Sequence, residues 1–279
     1  MTDTPPPRPL FLDGTAGPLF ALHLAPAGPA RQTLIFLPPF AEEMNRSRRM
    51  VALTARALAA AGVGVVLLDP HGTGDSGGDF ADARWPTWLA DVQTAAAWAE
   101  AETGGPVGLW GLRLGALLAA QAVAAAPARF ARLVLWAPVA RGETFLTQFL
   151  RIRVAAAMGD GQAGGGESTK ALRAAWDAGE TVEVAGYEVA PALAAAMDAA
   201  ALADAPPPAT LPVDWFELVA EEGRDPAPGA RKAAEAWTGA GARVAVDPVV
   251  GDPFWSLQEI ALAPNLIAAT VAALTRGAP

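Results

Sequence analysis

Cysteine is absent from the 279-residue sequence, which excludes a disulfide framework, a thiolate zinc site and a cysteine nucleophile. Histidine is scarce: His23 and His71 are the two present, so any imidazole base must be one of them. No run of Lys and Arg with interleaved aromatics occurs, and the formal net charge of −9 repels polyphosphates on average, so nucleic acid is not an expected partner. The basic clusters, Arg46 with Arg48 and Arg49 on an expected helix and Arg151 with Arg153, read as solvated or salt-bridged faces. The most apolar stretch, Leu114 to Ala126, is short of a membrane span and is interrupted by Gln121. Met1 to Pro9 is polar and proline-rich, without the basic-then-apolar order of a secretory signal. These absences lead to the expectation of a cytoplasmic protein with no membrane span.

What is present argues for a packed core. The chain is 52% hydrophobic and only 18% charged, too apolar and too weakly charged for a self-repelling disordered chain. Short apolar runs at Pro18 to Leu24 and Thr33 to Leu37 predict strands, with the first elements forming a hairpin that feeds a sheet. Helical spacing follows from Met44 to Ala61, stopped by Gly62. Val63 to Asp69 is apolar nearly throughout, as suits a strand buried on both faces of a parallel sheet.

The alternation then repeats: a helix near Trp85 to Ala101, a strand at Val107 to Trp110, a helix from Leu114 to Ala126 and a strand at Leu133 to Trp136. Between Arg141 and Pro208 the pattern changes to helical pieces, separated by the glycine-rich stretch Gly159 to Gly166 and by Gly179 and Gly186. Strand, helix, strand and helix resume at Val213 to Val219, Ala230 to Ala240, Arg243 to Val249 and Pro264 to Leu274. The expected architecture is α/β: a doubly wound, mostly parallel sheet, with residues 1–140 and 209–279 as core and 141–208 as an inserted helical cap.

Gly111-Leu112-Arg113-Leu114-Gly115 directly follows an apolar strand and opens a helix, the setting of the hydrolase elbow Gly-x-Ser-x-Gly. The central residue there is normally a hydroxyl activated by a base. Arg113 carries a guanidinium instead, which stays protonated and cannot attack. One crossover earlier, Asp69-Pro70-His71-Gly72-Thr73-Gly74-Asp75-Ser76 resembles the Asp-x-x-Gly-x-Gly-x-Ser loop of many α/β-hydrolases.

Pro38-Pro39-Phe40-Ala41-Glu42-Glu43-Met44-Asn45, Gly111 to Gly115, Phe145 to Leu150 and Val182 to Tyr187 together resemble the exosortase A system-associated hydrolase 2 family of bacteria, over nearly the whole chain. The resemblance implies an α/β-hydrolase fold, an Arg at the elbow as the family's normal pattern, and a link to exopolysaccharide production and protein sorting at the cell envelope, with a protein partner from that pathway.

In this fold the acid follows the strand after the cap, and the His follows the last strand. Glu217, Glu221, Glu222 and Asp225 are acid candidates. Where Gly-His is expected, the chain reads Gly251-Asp252-Pro253-Phe254-Trp255. His23 reads as structural, whereas His71 lies on a loop at the carboxyl end of a strand, the ligand-binding side of open α/β sheets. Arg113 at a helix N-terminus suits a carboxylate or phosphate. Alternatively it pairs internally with Glu42, Glu43 or Asp252. Glu42 or Glu43 could position a water as base, and Ser47 or Ser76 could be a displaced nucleophile.

The candidate catalytic set is thus Arg113, Glu42, Glu43, His71 and Asp252. The candidate ligand set is Arg113, Phe40, Leu114 and Trp255, an apolar cavity with a cationic anchor suited to an acyl chain or another amphiphilic acid. Three functions compete: a hydrolase or acyl-transfer enzyme acting on an ester or thioester by a non-classical site, an inactive homologue binding an acidic small molecule or partner protein, and a structural module docking through its cap. No metal or cofactor is expected.

Overall fold

The computed structural model describes residues 4–159 and 168–276. Eight strands form one sheet: β1 (Arg8–Asp13), β2 (Pro18–Leu24), β3 (Thr33–Leu37), β4 (Gly64–Leu68), β5 (Val107–Leu112), β6 (Leu133–Trp136), β9 (Val213–Val219) and β10 (Val246–Val250). Their spatial order is β1-β2-β4-β3-β5-β6-β9-β10. β2 pairs antiparallel with both β1 and β4, and every other pairing is parallel. β3, β5 and β6 are buried along their whole length, which is why they read as continuous apolar runs rather than as alternations.

Helices cover both faces. α1 (Glu42–Ala60) and α8 (Pro264–Thr275) pack over Trp110, Trp136 and Phe216 on one side. α2 (Trp85–Thr103), α3 (Leu114–Ala125) and α7 (Pro228–Gly239) pack over Leu109, Leu135 and Trp215 on the other. Opposite burial of adjacent residues along each strand makes two cores from one sheet.

Between β6 and β9 the chain leaves the sheet through α4 (Gly142–Gly159), α5 (Thr169–Asp177), β7 (Val182–Val184), β8 (Tyr187–Val189) and α6 (Pro191–Ala199). An isolated antiparallel bridge, Arg141 to Ala201, holds the two ends of this excursion together. Gly142 makes the closure fit, since a Cβ there would stand 1.8 Å from the Met197 carbonyl oxygen.

Three details differ from the sequence reading. The initial hairpin is made by β1, which was not expected, with β2. The inserted segment is not purely helical, because β7 and β8 pair as an antiparallel hairpin around Ala185 and Gly186, both at positive φ as a two-residue turn requires. The last strand runs Val246–Val250 instead of Arg243 to Val249, and tolerates Pro248 because it is an edge strand. Of the expected glycine-rich break, residues 160–166 lie outside the described residues. No helix among the described residues is long and apolar enough to cross a membrane.

Candidate functional site

Two tight strand-to-helix corners meet at the carboxyl end of the sheet. Arg113 is the N-cap of α3 at φ 55°, ψ −117°, and Ala41 is the N-cap of α1 at φ 54°, ψ −128°. Such angles are costly for residues with a Cβ and persist only where surrounding packing imposes them. The glycines around Arg113 show that packing: a Cβ on Gly111 would lie 2.4 Å from the Ala116 Cα, and one on Gly115 would lie 2.2 Å from the Leu37 carbonyl oxygen. The Gly-x-x-x-Gly spacing is therefore what lets α3 press against both β5 and the β3–α1 turn.

Between the corners, two backbone N–H groups are uncommitted. The Ala41 N–H has no partner among the described residues, and Leu114, the first residue of α3, has no acceptor one turn earlier. In α/β-hydrolases the N–H after the central elbow residue and one from the β3–αA loop form the oxyanion hole.

The Arg113 side chain turns away from these N–H groups. Its Nη1 donates to the Ala137 carbonyl at 3.2 Å, its Nε lies 3.5 Å from Glu43 Oε1, and its guanidinium carbon stands 5.2 Å from the Trp255 ring centroid. The end of β6, the first turn of α1 and the loop after β10 thus converge on one cation. Among the described residues the ion pair is with Glu43, not with Glu42 or Asp252. Glu42 pairs instead with Arg46 at 3.6 Å. The Arg113 and Glu43 side chains are each about a fifth exposed, so the pair is partly, not fully, desolvated.

Burial raises the carboxyl pKa of Glu43, opposed by the adjacent Arg113. Glu217, buried near the end of β9, is pushed up by desolvation to about 6, against the Trp215 indole hydrogen bond and the charge of Arg113. Trp215 Nε1 donates to Glu217 Oε1 at 2.9 Å. A folded-state pKa above the unfolded value means that the native protein binds the extra proton between the two, so stability falls as pH rises through that interval. The expected loss is about 2 kcal/mol between pH 4.5 and 6 from this group. Glu217→Gln should remove that contribution, making the variant more stable than wild type at pH 7 to 8 by about the same amount in urea denaturation and equal to it near pH 4.

The other candidates lie elsewhere. His71 is buried under its loop: its backbone N–H donates to Asp91 Oδ2 at 2.9 Å, its backbone carbonyl accepts from Trp88 Nε1 at 2.9 Å, and a Cβ on Gly78 would come within 2.5 Å of its ring. His23 packs edge-on against Trp98. Ser47 donates to the Glu43 carbonyl at 2.6 Å, and Ser76 joins the Asp69 carbonyl to the Phe20 N–H. Both hydroxyls hold backbone. Glu221, Glu222, Asp225 and Asp252 are exposed, and Asp225 pairs with Arg231 at 3.2 Å.

A cavity of about 220 Å³ opens beside the corner, walled by Phe40, Phe80, Trp85, Trp88 and Leu114, with Ala41 and Gly115 at its floor. Phe40 and Leu114 of the expected ligand set are in its wall, whereas Arg113 and Trp255 lie outside it. Its polar side chains are Asn45, Arg48, Thr73 and Tyr187, none of which the sequence assigned to a site. Tyr187 donates to Glu42 Oε2 at 3.3 Å and accepts from Asn45 Nδ2 at 3.0 Å, and its ring meets Phe80 at 5.0 Å. Thus the β7–β8 turn is tied over the cavity. The available signal for Arg48 was its i, i+4 spacing from Met44, which puts both on one helix face.

The family model described as serine aminopeptidase, S33, matches residues 28–173, just over half of the chain, spanning both corners but ending before β9 and β10. Among solved structures, Est1E from Butyrivibrio proteoclasticus with ferulic acid bound is similar at 14% identity, TM-score 0.66, over 95% of this chain and 96% of that one. The α/β-hydrolase GrgF from Penicillium sp. sh18 is similar at 17% identity, TM-score 0.64, over 98% and 99%. Mouse alpha/beta hydrolase domain-containing protein 10 is similar at 17% identity, TM-score 0.55, over 96% of each chain. These likenesses concern the fold. A comparison with curated proteins finds no match. By the family match, the strand order and the paired corners, this chain belongs to the serine aminopeptidase S33 family of the α/β-hydrolase superfamily.

Proposed function

We propose that this protein is an α/β-hydrolase homologue with a degenerate triad that binds an amphiphilic acid, or its ester, in the cavity at the elbow without serine-based turnover. The observation that carries the reading is the double use of the corner: a guanidinium occupies the nucleophile position and is held by Glu43, Ala137 and Trp255, while the neighbouring N–H groups of Ala41 and Leu114 stay open to an oxygen. Aromatic walls, those two donors and the cationic Arg48 suit a ligand with one anionic or carbonyl head and one apolar body. Ferulic acid, bound to Est1E, has that character. Residues 141–208 act as the cap, with the β7–β8 turn closing the mouth.

The resemblance in the segments around Pro38, Gly111, Phe145 and Val182 supports service in an exosortase and exopolysaccharide system, on the cytoplasmic side, through this ligand or a partner protein. A second reading, hydrolysis of an ester or thioester by a water held at Glu43, is favoured by the burial that keeps this carboxyl basic beside the corner.

The test is direct. Octanoate or ferulate should raise the Tm in a concentration-dependent way, while 4-nitrophenyl octanoate should be turned over no faster than in buffer. Tm unmoved by either acid would overturn the binding reading. Turnover abolished by Glu43→Gln would favour the second.

A further inference from the structure

A second cavity of about 170 Å³ lies between α1 and the sheet, walled by Leu22, Phe36, Val51, Ala52 and Leu67. It shares Pro38, Pro39, Met44 and Arg48 with the elbow cavity. Two spaces with four residues in common adjoin along one edge: Pro38-Pro39 on one side, and Met44 and Arg48, one helical turn apart, on the other. Among the described residues no close ion pair holds that edge shut. Arg48 is half exposed and its Nη2 is 3.8 Å from Asp69 Oδ2, longer than a hydrogen bond.

The chemistry of the partition suits an apolar chain. Met44 has an unbranched side chain with three rotatable bonds that can repack by switching between rotamers. Arg48 can lay its methylene stem along the passage while keeping the guanidinium in water. Proline backbones offer no N–H that a passing chain would leave unsatisfied. Beyond the partition the wall is aliphatic and aromatic apart from Ser47, whose hydroxyl is already bonded to the Glu43 carbonyl, and the buried Asp69, whose Oδ2 accepts from the Asp75 N–H.

Resting on the binding function proposed above, we infer that the two cavities form one bent site for a long-chain acyl group, its head at the Ala41 and Leu114 N–H groups and its tail passing Met44 into the space between α1 and the sheet. The second cavity then sets chain-length preference. Each methylene that enters it gains about 0.8 kcal/mol of burial, roughly a fourfold tightening.

The experiment compares octanoate with tetradecanoate by calorimetric titration on the intact chain, below their micelle concentrations. In the wild type, tetradecanoate should bind at least a hundredfold more tightly than octanoate. Ala52→Phe, on the half-buried helix face that lines the second cavity, should erase that difference and leave octanoate affinity unchanged. Leu22→Trp fills the same space from β2 and serves as the independent variant should Ala52→Phe fold poorly. Octanoate binding without a gain for the longer chain would overturn this inference and leave the proposed function standing. An equal loss of both acids in the filled variants would also overturn it, and failure of the wild type to bind either acid would overturn both proposals.

Discussion

Gly115→Ala should destabilise the protein by at least about 4 kcal/mol. Inserting one carbon into an adaptable core costs typically 1–3 kcal/mol, but here the added atom would lie 2.2 Å from the Leu37 carbonyl oxygen and 2.4 Å from that of Pro38. Both are backbone atoms at the end of a fully buried central strand, so no side chain can rotate aside. The relief available is to move α3 off the sheet, which would also open the corner at Arg113. Gly229→Ala supplies the control. It lies in the first turn of α7, its nearest neighbour would be the Ala140 Cβ at 3.3 Å, and helix propensity favours the change. Urea denaturation of the two variants should differ by several kcal/mol, and equal stability would remove the packing explanation of the elbow glycines.

Arg113→Met is the second large effect. Removing one member of a buried ion pair typically costs about 3–5 kcal/mol. With both side chains about a fifth exposed, solvent screening reduces the expected loss to about 2–3 kcal/mol near pH 8. The loss should be pH-dependent in a defined direction. Both Glu43 and Glu217 are held down by the charge of Arg113 against burial, so without it their carboxyls take up protons more readily. As the pH is lowered from 8 the carboxyls become neutral earlier in the variant than in the wild type, and the penalty should shrink. Adding Glu43→Gln to Arg113→Met should recover part of the stability at pH 8, as expected for coupled partners. A penalty independent of pH would mean that Arg113 contributes through packing alone.

The central sheet was readable because its inner strands are buried on both faces, so β3, β4, β5 and β6 stand out as apolar runs without needing a periodic pattern. β1 was less legible: Arg8–Asp13 is an edge strand, mostly exposed, and begins in a proline-rich stretch. β7 and β8 are three residues each, too short for a pattern to separate them from the surrounding helices, and their turn is Ala-Gly rather than the stronger Asn-Gly signal.

At the site, the elbow could be located from sequence because glycine spacing and strand-helix order reflect local sterics. The partner of Arg113 was narrowed only to three carboxylates. Choosing Glu43 over Glu42 depends on helix phase at the first turn of α1: consecutive residues there point about 100° apart, so one faces Arg113 and the other Tyr187 and Arg46. Arg48 illustrates the opposite difficulty. Half of its side chain is solvated, as its cluster suggested, yet its inner half borders both cavities, and a one-dimensional charge pattern cannot express that division. Tyr187 falls within a resembling segment, but its place at the cavity is not legible there, because its approach to Glu42 and Asn45 spans more than 140 residues of chain.

The most direct test of a guanidinium in place of an attacking hydroxyl is the intact mass of the protein after exposure to a fluorophosphonate, which phosphonylates serines activated by a neighbouring base. With Arg113 at the corner, and with Ser47 and Ser76 committed to backbone carbonyls, the mass should stay unchanged. A stoichiometric adduct on any serine would contradict the account.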